Sequence, residues 1–221
     1  MRPSWRTVGG ARAALLALAV PAGVAAAAGE RVPAAPMVEA FLQQLASAAG
    51  MRARFTQVNT WAVIDEADTA RGVLTLVPPD GFRLEYARPR GHRVGCDGRY
   101  VWTYVPEEHQ VLRADLVATT GWGDFFLGAF YEGADSLVAI GTGPGGRRAA
   151  RIVLGPRPEW GVQAMEVTLD ADRAVPLTYG YTDEEGNRYQ FSFESIEFPP
   201  ALSDTLLRFT VPPGYELVEV D

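Results

Sequence analysis

The chain has 221 residues, 48% of them hydrophobic and 10% aromatic, with 20 basic and 27 acidic side chains and a formal net charge of −7. That much apolar material argues against a disordered polypeptide, and an acidic balance without a basic cluster argues against nucleic acid and against an electrostatic grip on anionic membranes. A single cysteine, Cys96, excludes an intrachain disulfide.

The first 28 residues read as an export signal. Arg2, Arg6 and Arg12 precede an apolar run from Ala13 to Val20, and the small residues Val24 to Ala28 follow, with cleavage expected at or just before Gly29. The run is shorter than the ~20 apolar residues a transmembrane helix needs. No cysteine follows it to accept an acyl chain. The expectation is an exported, free chain whose single domain spans residues 29–221. Removing three arginines and no acids leaves 17 basic against 27 acidic side chains, a net charge of −10.

A helix comes next. Pro36 suits a first turn, Val38, Phe41, Leu42, Leu45 and Ala46 form an apolar stripe at helical spacing, and Gly50 suits a C-terminal cap. From there the hydrophobic period becomes two. Strands are expected near 51–60, 69–77, 81–87, 91–96, 99–105, 109–114, 137–141, 148–154, 162–169, 176–182 and 187–198. Pro78-Pro79-Asp80-Gly81, Asp97-Gly98, Gly143-Pro144-Gly145-Gly146 and Asp183-Glu184-Glu185-Gly186-Asn187 punctuate them as turns. The close spacing implies an antiparallel meander. Only Gly121 to Gly133 breaks the rhythm: Phe125, Phe126, Ala129 and Phe130 fall at helical spacing among glycines, which fits a short helix or a flap.

Catalytic constellations are missing. The two histidines, His92 and His109, read as solvated loop residues, and neither a nucleophile–base–carboxylate pattern nor metal-ligand spacing is present. The expectation is a protein that is not an enzyme and holds no metal or cofactor.

About eleven antiparallel strands exceed what an open twisted sheet holds flat, so the sheet is expected to curl into an incomplete barrel. With one clear helix and the 121–133 segment as lid, its concave side stays partly open. The overall class is mainly β (α+β). Candidate lining comes from the alternating rows: Leu74 and Leu76; Phe82, Leu84 and Tyr86; Phe191 and Phe193. Any one row fits a packed core equally well; together they suit a cavity for acyl chains. In Asp97 to Val105, Tyr100, Trp102 and Tyr104 share one face and Val101, Thr103 and Val105 the other. Both faces ask for burial.

Phe55-Thr56-Gln57, Gly72 to Leu76, Pro79 to Tyr86, Asp97 to Tyr104, Pro176-Leu177, Asp183 to Arg188 and Leu207 to Gly214 run in the order of the periplasmic lipoprotein carrier family LolA, which the chain resembles over nearly all of residues 29–221. The resemblance implies a half-barrel with a helical lid over a hydrophobic cavity, located in the periplasm. It implies acylated lipoproteins as cargo, pickup from an inner-membrane ABC-type releasing complex, and delivery to an outer-membrane receptor lipoprotein by a monomeric carrier. Phe82 matches the family's cavity phenylalanine, and Trp102 and Tyr104 match its W-x-Y strand. Phe55, Phe125, Phe126 and Phe130 join the implied acyl site or lid. Many members carry a lid-holding arginine where Val77 stands here; Arg83 and Arg88 are the nearby substitutes. The alternative reading is a half-barrel lipid sensor of envelope stress.

Overall fold

Alternation of apolar and polar residues builds this protein, because each strand then offers one face to a core and one to solvent. A computed structural model describes residues 31–79, 81–115, 130, 133, 136–158, 161–203 and 205–220. Among them is one α-helix, α1 (Ala35–Ala46), and thirteen strands: β1 (Arg31–Pro33), β2 (Met51–Trp61), β3 (Glu66–Val77), β4 (Gly81–Arg88), β5 (Arg93–Asp97), β6 (Tyr100–Val105), β7 (Gln110–Asp115), β8 (Leu137–Thr142), β9 (Arg148–Leu154), β10 (Val162–Asp170), β11 (Val175–Asp183), β12 (Arg188–Glu197) and β13 (Glu216–Val220). The expected signal segment and its cleavage point lie outside the described residues, as do Phe125 and Phe126.

All thirteen strands belong to one curved sheet in the order β1-β8-β9-β10-β11-β12-β2-β3-β4-β5-β6-β7-β13, open between its β1 and β13 edges. The expected half-barrel is therefore present, with two differences. The sheet is two meanders, β2 to β7 and β8 to β12, joined by the antiparallel β12–β2 pair from Arg188–Thr60 to Glu197–Arg52. The strands β1 and β13 extend it, and β13 runs parallel to β7 rather than antiparallel.

Both additions are short, and neither carries the alternation that marked the other strands. A parallel partner also cannot be reached by a tight turn. The chain gets there along residues 198–215, which run back over one face of β4 to β6. Gly81 and Gly95 make that path possible. A Cβ on Gly81 would sit 2.3 Å from Leu207 Cδ1, and one on Gly95 would sit 2.2 Å from Phe209 Cζ.

Candidate ligand-binding face

Helix α1 lies on one face of the sheet because its apolar stripe has nowhere else to go. Val38, Phe41 and Leu45 are buried at helical spacing, each burial contributing about 1.5–3 kcal/mol. Pro36 sits in the first turn as expected. The ends are fastened by few polar bonds: the Ala34 N–H donates to Ser136 O at 2.9 Å, and Gln44 Nε2 donates to Arg173 O at 3.1 Å and Ala174 O at 3.3 Å. Phe41 meets Phe130 with ring centroids 4.8 Å apart; Phe130 and Gly133 lie in helical backbone.

Beneath α1 the strands align their inward residues in rows. Met51, Leu76, Phe82, Cys96 and Val101 are cross-strand neighbours from β2 to β6, and Ala53, Leu74, Leu84 and Val94 form the next row. The third runs through Phe193, Phe55, Gly72 and Tyr86. Of the sequence-derived site residues, Phe55, Leu74, Leu76, Phe82, Leu84, Phe130, Phe191 and Phe193 are all buried in this one cluster, with Tyr86 packed at its margin. Phe82 is only 2% exposed. These described residues are therefore covered by other parts of the protein.

The cluster also holds residues not singled out beforehand. Ile152, Met165, Val167, Leu169 and Tyr179 extend it across β9, β10 and β11. For Met165, Val167 and Leu169, alternation along 162–169 was the available signal.

Toward the β2–β3 turn the same face becomes aromatic and then polar. Phe55 meets Tyr86 edge-on at 5.3 Å and Phe191 at 5.7 Å, and Tyr181 stacks on Tyr189 at 4.6 Å, which meets Trp61 edge-on at 5.9 Å. The Tyr86 hydroxyl donates to Gln57 Oε1 at 2.9 Å, Gln57 Nε2 to Asn59 Oδ1 at 2.7 Å, and Asn59 Nδ2 to Asp68 Oδ1 at 2.8 Å. Trp61 Nε1 donates to Asp68 Oδ2 at 2.9 Å. Burial, and after it the Asp68 carboxylate, push the Tyr86 phenol above its ordinary range. Burial also raises Tyr181, and burial with the Asp183 carboxylate pushes Tyr189 up to about 12. These phenols are neutral donors at any physiological pH.

Two site residues belong elsewhere. Trp102 and Tyr104 do not join the Phe82 cluster; they pack on the opposite face with Val111, under Phe209, Val211 and Tyr215. Trp102 stacks on Phe209 at 6.0 Å and donates from Nε1 to Asp97 Oδ2 at 2.9 Å, while the Tyr104 hydroxyl donates to Thr210 O at 2.9 Å. The reason is register: β5 sets Cys96 opposite Val101 and Gly95 opposite Trp102. Val101 therefore joins the cluster that includes Val38, Phe41 and Leu45 of α1, and the aromatic row faces the returning C-terminal segment.

Arg83 shares that outer face. Its Nη1 donates to Leu206 O at 2.8 Å and its Nη2 pairs with Glu85 at 2.7 Å, so it fastens the C-terminal segment. Arg88 is exposed. His92 also departs from expectation: it is buried, with Nε2 2.7 Å from Glu107 Oε2, while His109 is exposed as anticipated.

Chemically, the face under α1 offers hydrocarbon walls, one buried thiol and a polar aromatic end, an arrangement suited to holding apolar chains. Among the described residues no group of three or more His, Cys, Asp or Glu side chains is placed to hold a metal, and no helix is long and apolar enough to cross a membrane.

Comparison with known proteins bears on the same face. The family model described as outer membrane lipoprotein carrier protein LolA matches residues 46–210, which include every strand that forms the rows above. An outer-membrane lipoprotein carrier protein of Methylobacillus flagellatus is 25% identical over 182 residues, covering 82% of this chain and 88% of that protein. One from Neisseria meningitidis serogroup B is 24% identical over 182 residues, covering 82% and 86%. A crystal structure of an uncharacterized conserved protein from Thermus thermophilus superposes with a TM-score of 0.53 at 16% identity, over 84% of this chain and 98% of that one.

Proposed function

We propose that this chain, which belongs to the outer membrane lipoprotein carrier family LolA, is a periplasmic carrier that receives the acyl chains of lipoproteins on the apolar face beneath α1. Carriage without catalysis is the activity that family membership supports. In this reading an inner-membrane ABC-type complex releases acylated cargo to the monomeric chain, which hands it to a receptor lipoprotein at the outer membrane.

One observation carries the proposal. A continuous apolar cluster runs from Val101 on β6 to Ile152 on β9, and the described helix over it, α1, fully buries three apolar side chains, Val38, Phe41 and Leu45, with Met37 and Leu42 partly buried against it. Such a cover can be exchanged for hydrocarbon at modest loss. Burying one acyl methylene yields about 0.8 kcal/mol, so full burial of roughly 40 methylenes would exceed ~30 kcal/mol, above the ~18–21 kcal/mol at which non-covalent affinity saturates. A carrier must also let go. Displacing three apolar side chains of α1 offsets about 5–9 kcal/mol of the gain, which moves the balance toward release.

The test is direct. The mature chain is mixed with N-phenyl-1-naphthylamine, an alkyl-site fluorophore, and a triacylated cysteinyl peptide is titrated in. In parallel, inner-membrane vesicles bearing a lipoprotein are incubated with the chain, and the lipoprotein recovered in the soluble fraction is measured. Competitive displacement and soluble lipoprotein are expected. A chain that neither binds the fluorophore nor extracts lipoprotein overturns the carrier reading.

A further inference from the structure

The face beneath α1 has a direction. At the α1 end, the row Met51, Leu76, Phe82, Cys96 and Val101 consists of apolar side chains and one thiol, all buried. At the β2–β3 end, the inward positions of β2 become Gln57, Asn59 and Trp61, with Asp68 opposite Asn59 and Tyr189 beside it. Exposure rises along this line from Gln57, 9% exposed, through half-buried Asn59 and Trp61 to exposed Asp68.

This row has unspent hydrogen-bonding capacity. Each carboxamide commits one of its two N–H groups to its neighbour along the row, which leaves the second for a carbonyl oxygen. Asp68 accepts from Asn59 and Trp61 and keeps lone pairs for an amide N–H. The rings of Trp61, Tyr181 and Tyr189 sit where hydrocarbon gives way to water, the position amphipathic aromatics favour.

We infer that this end is the mouth of the acyl site, and that Gln57, Asn59 and Asp68 receive the ester and amide linkages that join acyl chains to an N-terminal cysteine, with the Trp61 indole N–H holding Asp68 in place. The acyl chains then point toward Phe82 and α1, and the peptide leaves past Trp61 and Tyr189. The ligand class is an uncharged acyl ester or amide. A free fatty acid is a poor ligand, because its carboxylate would sit beside those of Asp68 and Asp183. This inference rests on the carrier reading and adds the orientation of the cargo and the groups that read its polar junction.

Two probes separate the claims: N-phenyl-1-naphthylamine, which has no ester or amide, and a triacylated cysteinyl-serine peptide. The variants are Asp68→Val, which removes the acceptor for the amide N–H, and Asn59→Val, which removes the free carboxamide N–H, both suiting a strand; thermal melts confirm that each is folded. Losing one hydrogen bond to the linkage corresponds to ~5-fold in affinity. The expected result is a ~5-fold or larger loss for the acylated peptide in each variant, with fluorophore binding unchanged. Unchanged peptide binding in both variants overturns the mouth, and so does an equal loss for both probes, which marks a structural role. Wild-type protein that binds the fluorophore but not the peptide also overturns it. Wild-type protein that binds neither probe overturns the carrier reading itself.

Discussion

Phe82→Glu measures how closed the face beneath α1 is in the empty protein. Phe82 is 2% exposed and lies between Leu76 on β3 and Cys96 on β5. Removing its ring forfeits about 3 kcal/mol of apolar burial. A carboxyl group in the same place has no cationic neighbour in its cross-strand row, so desolvation raises its pKa. A rise of about 2 units costs ~2.7 kcal/mol once the pH exceeds the raised value. The sign follows from which state binds the proton more tightly. Below the unfolded value of ~4.3 the group is neutral in both states and only the apolar loss counts; as pH climbs through the folded value the unfolded state is increasingly favoured. Urea melts should therefore show a loss of about 3 kcal/mol at pH 4 and about 6 kcal/mol at pH 8, the latter comparable with the total stability of a small domain. Phe82→Gln, which cannot ionise, should show a loss that does not change between the two. If Phe82→Glu instead matches Phe82→Gln at both pH values, the carboxylate reaches water, and the face is open rather than packed.

Three further outcomes follow from the geometry. Gly95→Ala places a methyl group 2.2 Å from Phe209 Cζ and 2.9 Å from Phe82 O, so it should displace Phe209 from Trp102 and lower stability by about 1–3 kcal/mol without altering fluorophore binding on the opposite face; retained stability with lost binding would contradict the division of faces. Tyr189, held at about 12 by burial and by Asp183, stays neutral while its unfolded counterpart ionises near ~10. Stability should thus be intact below pH 10 and fall as pH rises toward 12, with a shallower fall in Tyr189→Phe, read by melts alongside phenolate absorbance. For Glu107, burial works to raise the carboxyl pKa, but the His92 hydrogen bond, a backbone hydrogen bond and the attraction to His92 together outweigh it and the net shift is downward. Its contribution is present above the ordinary carboxyl range and lost as pH falls through it; Glu107→Gln should flatten that acid limb, and an unchanged acid limb would mean the His92 contact is not formed in solution.

Much of this molecule is legible in its sequence because the controlling pattern is local. Leu74 and Leu76, Phe82 and Leu84, and Phe191 and Phe193 alternate with polar neighbours, so each strand announces which side chains belong inside, and turn residues such as Asp97-Gly98 announce where it ends. The strip of α1 defined by Val38, Phe41 and Leu45 is fixed in the same way by helical spacing. Tertiary structure decided the rest. In β6 both Tyr100, Trp102 and Tyr104 and Val101, Thr103 and Val105 are apolar enough to bury, and period two yields two faces without saying which one turns inward. That choice rests on Cys96 pairing with Val101 and on Phe209, Thr210 and Tyr215, more than a hundred residues along the chain, arriving to cover Trp102 and Tyr104. The short strands β1 and β13 were likewise invisible, since their hydrogen bonds go to partners remote in sequence: Arg31 to Pro33 pair with residues 137–139, and Glu216 to Val220 with residues 110–114. Unlike the equally short β5, which a tight Asp97-Gly98 turn joins to β6, β1 and β13 have no neighbour in sequence to pair with, so only the distant edge makes each a strand.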